Sequence, residues 1–354
     1  MDDIVGKKGV RYKHNAFTRK TFHCKSTIMY GRSGTGKSYL LNEMLARMQD
    51  DFLMMLCFSA TAEVDKMFPM NTYTPHPCIF EGLDIDKFLQ IMEASTKRMS
   101  KYRASRDIAN LPKSAEVLRD IYSSRVDKSA MSKYNTIIKA INKYQAEVVD
   151  VCDNKDDITA ATDTIVGMYR LLMLAGKSYI KRHNVDLKKY TDEQLICIKY
   201  VKINPYVLVV LNDLGDEINS LCKKDRTIFE SFFNKGRHMG ITIVILLQNP
   251  FQISKQARQA INNHIFTTTE VFQQYIESIP GGNVLKKKAG DAIDSIVGQD
   301  EKRATKDRTY AKILLNGDDI EYVTADKLGT QFPVGKPSFR RLIETLEIRP
   351  ESWG

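Results

Sequence analysis

The sequence predicts an α/β fold with a mostly parallel central sheet flanked by helices, and two observations predict it. Continuous apolar runs rich in β-branched residues occur at Val207–Leu211 ("VLVVL") and Ile241–Leu247 ("ITIVILL"). Helical patterns such as "DRTIFESFFNKG" alternate with these runs. Continuous apolar strands that alternate with helices are typical of a parallel sheet covered on both faces.

The N-terminal part of the chain gives the first strands and the first long helix. Short apolar runs at Ser26–Tyr30 and Phe52–Phe58 predict strands, and a weaker run lies at Cys78–Phe80. A strand, a helix and a second strand in this order fit the predicted parallel sheet. The apolar residues at helical spacing between the first two runs are Leu40, Leu41, Met44, Leu45 and Met48.

The middle of the chain has a different pattern. From about Leu83 to Tyr200 strand patterns are almost absent, and amphipathic runs such as "IDKFLQIMEASTKRM" predict a helical insertion. Near the C-terminus, β-rich runs on both sides of Asn316 and Gly317 predict a hairpin. We therefore expect a discontinuous core of residues 1–83 and 201–330, a helical insertion of residues 84–200, and a C-terminal tail of residues 331–354.

The composition is that of an ordinary globular chain with excess positive charge. Of the 354 residues, 43% are hydrophobic and 27% are charged, and the formal net charge is +10. This excess favours a polyanionic partner such as nucleic acid, although a solvated basic surface gives the same total. No apolar run approaches the roughly 18 residues that a membrane span needs, so we expect no span. The six cysteines are scattered and none forms a CxxC pair, which predicts free, mostly buried thiols.

The stretch Gly31–Ser38, "GRSGTGKS", fits the phosphate-binding loop (P-loop) pattern G-x-x-x-x-G-K-[ST] at every position. A predicted strand precedes it and a predicted helix follows it, which is the context that the pattern requires. Glycines let backbone N–H groups surround phosphate oxygens, and the helix N-terminus adds a favourable dipole. Lys37 can reach the β- and γ-phosphates, and the Ser38 hydroxyl can ligate Mg²⁺. We predict a P-loop NTPase whose nucleotide ligands are Gly31, Ser33, Gly34, Thr35, Gly36, Lys37 and Ser38.

A P-loop NTPase also needs an acid at the tip of a neighbouring strand to anchor Mg²⁺, and a further acid often polarises the attacking water. The strand "VLVVLND" supplies Asn212 and Asp213 at its end, and two registers are open. In the first, Asn212 anchors the metal and Asp213 polarises the water. In the second, Asp213 serves the metal, and Asp216 or Glu217 is the second acid. An amide oxygen can accept a hydrogen bond from a metal-bound water but lacks the charge, so Asn212 weakens the site.

Two further polar residues are candidates for catalysis. Gln248 ends the strand "ITIVILLQ", where it can contact the γ-phosphate or its water, and a simple turn role before Pro250 is the alternative. Arg237 in "NKGRHMGI" can reach into a neighbouring subunit's site to stabilise transition-state charge, or it is an ordinary surface arginine. His238 and His264 lie apart, and we expect both to be structural.

The order of these motifs resembles the FtsK–HerA superfamily, and within it the DNA-packaging ATPases of poxviruses and other nucleocytoplasmic large DNA viruses. The segments that carry the resemblance are the P-loop, "NPYVLVVLNDLGDE", "GRHMGITIVILLQNP" and "ARQAINNHIF". "FSATAEVDKMFPMNTYTPHPCIF" fits the viral branch as well. The resemblance covers roughly residues 26–59 and 204–268. It implies a RecA/FtsK-like core, in which the family usually has aspartate where this chain has Asn212.

The resemblance also implies the activity and the partners. It implies an ATPase that uses ATP and Mg²⁺ to move double-stranded DNA into a capsid, with Asp213, Gln248 and Arg237 as catalytic residues and with Ser38 and Asn212 at the metal. It further implies a self-assembled ring, expected to be a hexamer, and contacts with capsid or other packaging proteins. The expected location is the viral assembly site in the host cytoplasm, with association with the virion.

The residues that contact DNA and the rival functions stay open at this point. The candidates for DNA contact are Lys286–Lys288 and the basic run "TKRMSKYRASR", and a solvated charged face is the alternative for each. The run "NKDD" at Asn154–Asp157 matches a guanine-binding pattern, but it lies in the helical insertion, before the metal-site strand, and no suitable D-x-x-G motif precedes it. The other rivals are a small-molecule kinase and an ATPase-like assembly factor with weak turnover. The second is suggested by Asn212, which stands where an acid is expected.

Overall fold

The computed structural model describes residues 3–6, 9–60, 73–149, 155–279, 283–302, 310–324 and 333–346. The chain divides into two compact units, which are Met1–Thr96 with Pro205–Gly354, and Lys97–Asn204. The division predicted from the sequence, with boundaries at residues 83, 200 and 330, stays a prediction about folding domains.

The first unit contains an eight-stranded sheet with the order β10-β9-β8-β3-β7-β6-β4-β5. All pairs from β8 to β5 in this order are parallel, and β9 and β10 add two antiparallel pairs at one edge. The predicted mostly parallel sheet is therefore confirmed. The strands are β3 (Ser26–Tyr30), β4 (Met54–Ser59), β5 (Ile79–Glu81), β6 (Val207–Asn212), β7 (Ile241–Leu247), β8 (Asn263–Phe266), β9 (Lys312–Asn316) and β10 (Asp319–Val323).

Helices cover both faces of this sheet, which explains the continuous apolar strands. In β6, Val207, Val209 and Leu211 face one apolar cluster, while Leu208 and Val210 face the other. Fully burying one such side chain contributes about 1.5–3 kcal/mol, so most residues on both faces of this strand must be apolar.

The first unit contains the following helices: α1 (Arg19–Phe22), α2 (Lys37–Met48), α3 (Ile85–Ala104), α8 (Gly215–Ser220), α9 (Lys223–Met239), α10 (Lys255–Ala260), α11 (Thr269–Ser278), α12 (Asn283–Ala292), a π-helix (Ile293–Val297), α13 (Gly298–Glu301) and α14 (Pro337–Leu346). Helix α3 continues into the second unit.

The two ends of the chain add short elements to the first unit. A two-residue pairing of β1 (Ile4–Val5) with β2 (Arg11–Tyr12) forms a small sheet that the sequence did not predict. The predicted C-terminal hairpin is confirmed as β9 and β10, with Gly317 at a φ of 60° in its turn. Beyond it, the backbone of Gly335 forms a bridge with Met54 of β4.

The second unit is helical and has its own apolar core. Its elements are the end of α3 and the helices α4 (Leu111–Ser124), α5 (Lys128–Val149), α6 (Lys155–Arg182) and α7 (Asp192–Tyr200). A capping box between Thr191 and Gln194 starts α7, as the sequence "TDEQ" favours. The core includes Leu111, Leu118, Ile121, Met173 and Leu195.

One described helix meets a simple test for membrane spans. The segment Asp156–Arg182 of α6 is long and apolar enough to cross a membrane, judged by length and composition only. We expected no such run from the sequence. Helices in the core of a globular protein have the same length and composition. Here α6 contributes Ile165, Tyr169, Leu172 and Met173 to the helical core.

Candidate functional site

The polar candidates converge at the carboxyl edge of the parallel strands. The register pairs Tyr30 of β3 with Leu247 of β7, and Leu246 of β7 with Asn212 of β6. Two hydrogen bonds extend this register past the strands, since the Gly31 amide donates to the Leu247 carbonyl (3.0 Å) and the Asp213 amide donates to the Leu246 carbonyl (3.1 Å). The P-loop, Gln248 and Asp213 therefore start at one level of the sheet.

The P-loop leaves β3 through backbone conformations that require glycine. Gly31, Gly34 and Gly36 have φ values of 154°, 78° and 97°. A Cβ at Gly31 would lie 1.8 Å from Thr267 Oγ1, whereas a Cβ at Gly34 would meet nothing within 4 Å. Close approach thus fixes the first glycine, and left-handed backbone fixes the other two.

Thr267, at the end of β8, supports the loop and was not predicted from the sequence. Its hydroxyl donates to the Tyr30 carbonyl (2.9 Å) and lies 2.7 Å from the Thr35 hydroxyl oxygen. It is buried at 4% exposure. The run "HIFTTT" contained this residue, but no local pattern indicated that β8 lies next to β3.

Lys37 begins α2 and turns its amine back toward the loop. The amine donates to the carbonyls of Gly31 and Arg32, the second at 3.1 Å. Burial lowers the pKa of this amine, and the negative charge of Asp213 acts in the opposite direction. Asp213 is therefore close enough to Lys37 for its charge to act on the amine. Ser38 follows in the first turn of α2 and is partly exposed.

Asp213 and Asn212 have different surroundings, although they are neighbours in sequence. Asp213 has a φ of 55°, and its carboxylate accepts a hydrogen bond from Gln248 Nε2 at 3.1 Å. Aspartate tolerates this left-handed conformation better than most residues. Asn212 is buried at 7% exposure, and its side-chain amide donates to Ser59 Oγ at 3.2 Å. The carboxylate that contacts the other catalytic candidates is therefore that of Asp213.

The acids proposed for the second register are placed differently. The carboxylate of Glu217 accepts a hydrogen bond from the Leu83 amide at 2.5 Å, which ties α8 to the segment after β5. Asp216 is exposed at the start of α8. Glu217 thus has a structural partner, while both registers stay predictions about catalysis.

Gln248 is held by the short turn that follows it. Gln252 Oε1 accepts hydrogen bonds from the backbone amides of Gln248 (2.8 Å) and Asn249 (3.2 Å). A Cβ at Gly215 would lie 2.1 Å from Gln252 Nε2, so the same side chain also touches the start of α8. The turn therefore connects the two segments that carry Gln248 and Asp213.

Arg237 is not brought to this edge in its own chain. It lies in the last turn of α9, before β7 begins, and its Nε donates to His238 Nε2 at 3.2 Å. The seven residues of β7 separate it from Gln248. At about 3.3 Å per residue this separation is about 20 Å. His264 is buried between Tyr30 and Tyr275, whose hydroxyl oxygens lie 3.4 and 3.2 Å from its ring nitrogens, as expected for a structural histidine.

The other sequence candidates lie on described helices or outside the described residues. Lys286–Lys288 are exposed on α12. Asn154 of the guanine-like pattern and residues 61–72 of the viral-type segment lie outside the described residues. In the described part of the chain, no three His, Cys, Asp or Glu side chains are grouped as a metal cluster, and Cys24, Cys197 and Cys222 are free thiols.

A scan against protein families matches residues 178–326 to the family described as Poxvirus A32 protein. The match covers less than half of the chain, and this region is similar to the poxvirus A32 family. The A32 region contains β6, β7 and β8, and hence Asp213, Gln248 and Thr267, while the P-loop precedes it. The match confirms the resemblance to the poxvirus branch.

Similar proteins outside poxviruses were also found. "Uncharacterized protein B354L" of African swine fever virus is 22% identical over 272 residues, which are 72% of this chain and 70% of that protein. Among solved structures, VirB4 of Thermoanaerobacter pseudethanolicus has a TM-score of 0.39 and 11% identity, covering 92% of this chain and 96% of that one. The pCW3 conjugation coupling protein TcpA with ATPγS has a TM-score of 0.38 and 9% identity, covering 98% of this chain and 70% of that one.

Proposed function

We propose that this chain is an ATP-driven translocase of double-stranded DNA that packages a viral genome into a capsid. The observation that carries the proposal is the convergence of the P-loop, Lys37, Asp213 and Gln248 at one edge of a parallel sheet. The A32 match and the net charge of +10 support a viral ATPase that acts on a polyanion.

ATP would bind with its phosphates in the P-loop. The loop amides and the N-terminus of α2 favour negative charge, and no side chain fits at Gly31. The Lys37 amine, which now donates to the loop carbonyls, is close enough to the loop to donate to the β- and γ-phosphates. Its partial burial strengthens that interaction, because the charge is less screened by water.

The residues at this edge also fit Mg²⁺. The Ser38 hydroxyl and the carboxylate of Asp213 are hard oxygen donors, which Mg²⁺ prefers. When bound, the ion would supply positive charge that neutralises the negative charge developing on the phosphate groups. Asn212 contributes a neutral amide engaged with Ser59, so Asp213 carries the negative charge of this pair in either register.

Asp213 and Gln248 would orient the attacking water. Their side chains are already hydrogen-bonded to each other, so a water between them and the γ-phosphate would have an acceptor and a donor at fixed positions. In the first register Asp213 takes the proton from this water. In the second it holds the metal, and Asp216 or Glu217 is the second acid.

A ring would complete the site from a neighbouring subunit. Arg237 is exposed and lies at the opposite edge of the sheet from its own P-loop, so a catalytic role requires that it acts on the next subunit. We therefore propose a homo-oligomeric ring, with a hexamer as the expected size, that works with capsid or other packaging proteins at viral assembly sites in the host cytoplasm and is associated with the virion.

The test is ATP hydrolysis with and without double-stranded DNA, on protein whose size is measured by light scattering. Wild type should form a ring and hydrolyse ATP faster with duplex DNA, and Lys37→Ala should fold but lose turnover. Turnover that DNA does not stimulate would contradict a translocase. Unchanged turnover in folded Lys37→Ala would contradict the P-loop assignment itself.

A further inference from the structure

Most of the net positive charge belongs to the helical unit. Residues 97–204 contain 21 of the 53 Lys and Arg residues and 13 of the 43 Asp and Glu residues, which gives a net charge of +8. The larger unit with the ATPase site therefore carries a net charge of +2. A polyanion would be attracted chiefly to the helical unit.

Three lysines of this unit converge at the last turn of α7. Lys101 of α3 places its amine 5.6 Å from the ring centroid of Tyr200, the final residue of α7. Lys177 of α6 donates to the Lys199 carbonyl in the same turn at 2.5 Å. Lys202 follows two residues after Tyr200, and its charge is close enough to add to the lowering of the Lys177 pKa, of which burial is the larger cause. We call Lys101, Lys177 and Lys202 the α7 lysine cluster.

The charges of the α7 lysine cluster are not offset within the described residues. No described carboxylate forms a salt bridge with its three members, and Asp192 pairs with the neighbouring Lys199 at 2.5 Å. The C-terminus of α7 offers roughly half an elementary negative charge, against three ammonium groups. Like charges gathered in this way repel one another unless an anion joins them.

We propose that the α7 lysine cluster binds the phosphate backbone of double-stranded DNA. This rests on the proposed function and names the surface of the helical unit that the DNA contacts. Lysine suits the role because its ammonium is a point charge that attracts phosphate without selecting bases. Lys202 is exposed, and Lys101 and Lys177 are partly exposed, so each of the three amines is accessible to a phosphate group in solution.

The test compares two pairs of substitutions that remove equal charge. Lys101→Gln with Lys202→Gln alters the cluster and leaves Lys177, which also caps α7, in place. The matched control is Lys133→Gln with Lys139→Gln, two exposed lysines on α5. Affinity for a labelled duplex is measured by fluorescence anisotropy across a salt series, on the full chain.

The cluster pair should bind duplex DNA at least about tenfold more weakly than wild type. Its slope of log affinity against log salt should be about 2 smaller, since each neutralised phosphate contributes about 0.9. The control pair should stay within about twofold of wild type. ATP hydrolysis without DNA should be unchanged in both, because none of these residues belongs to the ATPase site.

Three outcomes would overturn the inference, and one of them concerns the proposed function separately. Equal losses in both pairs would show that overall charge, not this cluster, attracts DNA. Binding of labelled polyglutamate is measured in the same way, as a probe for an acidic protein partner. If the Lys101→Gln, Lys202→Gln variant loses binding to polyglutamate but keeps binding to DNA, the partner of the cluster is an acidic protein segment. If wild type binds no duplex at all, the proposed function fails together with this inference.

Discussion

Replacement of Gly31 by alanine tests how the P-loop is held. The new Cβ would lie 1.8 Å from Thr267 Oγ1 and 2.5 Å from Thr35 Oγ1, on a backbone with a φ of 154°. The hydroxyl of Thr267 would have to leave the Tyr30 carbonyl and the Thr35 hydroxyl, at a cost of about 1 kcal/mol for each hydrogen bond. Backbone strain adds about 1–3 kcal/mol. We expect Gly31→Ala to lower the free energy of unfolding by about 3–5 kcal/mol.

Gly34→Ala is the matched control, since its φ of 78° is strained for alanine but its Cβ would meet nothing within 4 Å. Gly34→Ala should lower the free energy of unfolding by about 1–2 kcal/mol, because only the backbone is strained. Urea unfolding followed by circular dichroism gives each value. In a Thr267→Ala background Gly31→Ala should cost about 2 kcal/mol less, because the clashing hydroxyl and its hydrogen bonds are already gone. Equal costs for the two glycines, or no coupling with Thr267, would refute this account of the loop.

Three further predictions concern the acids, the arginine and a buried histidine. Asp213→Asn should lower kcat by about 10²-fold or more, whereas Asn212→Asp should keep or raise Mg²⁺-dependent hydrolysis because it restores a charge; an intact kcat in Asp213→Asn would refute both registers. Arg237→Ala should bind nucleotide but not turn it over, and mixing it with Lys37→Ala should restore some activity at mixed interfaces; no rescue would leave Arg237 as an ordinary surface residue. Burial lowers the pKa of His264 to about 3, below its usual 6.5, so the neutral ring stabilises the fold above pH 6.5 and this contribution is lost as the pH falls toward 3. Between pH 7 and pH 5, the free energy of unfolding should therefore fall about 2 kcal/mol more in wild type than in His264→Gln. Urea unfolding at the two pH values measures both losses, and equal losses in the two proteins would contradict this prediction.

The sequence was sufficient where the information is local. Phosphate binding needs glycines, a lysine and a hydroxyl within Gly31–Ser38, and the strand and helix on either side were visible as apolar patterns. Strands buried on both faces also show themselves in sequence, because Val207–Leu211 of β6 and all of β7 except Thr242 are apolar. The fold class and the identity of the loop were therefore predictable.

The small N-terminal sheet and the exact ends of β4 and β5 were less predictable. The run Phe52–Phe58 predicted a strand that the structure places at Met54–Ser59, and Cys78–Phe80 corresponds to Ile79–Glu81. Hydrogen bonding to neighbouring strands decides such ends, since apolar residues continue beyond them. The two-residue strands at Ile4–Val5 and Arg11–Tyr12 have no periodicity from which a strand could be read.

Only the tertiary structure decided which side chains meet. We expected the acid to end a strand next to the P-loop strand, but β7 lies between β3 and β6, and this order places Gln248 between the loop and Asp213. The same sheet brings Thr267 to the loop from the other side and leaves Arg237 at the opposite edge. These arrangements depend on hydrogen bonds between strands far apart in the chain. A strand's own residues set its two apolar faces but not its neighbours, because all backbone hydrogen-bonding groups are alike.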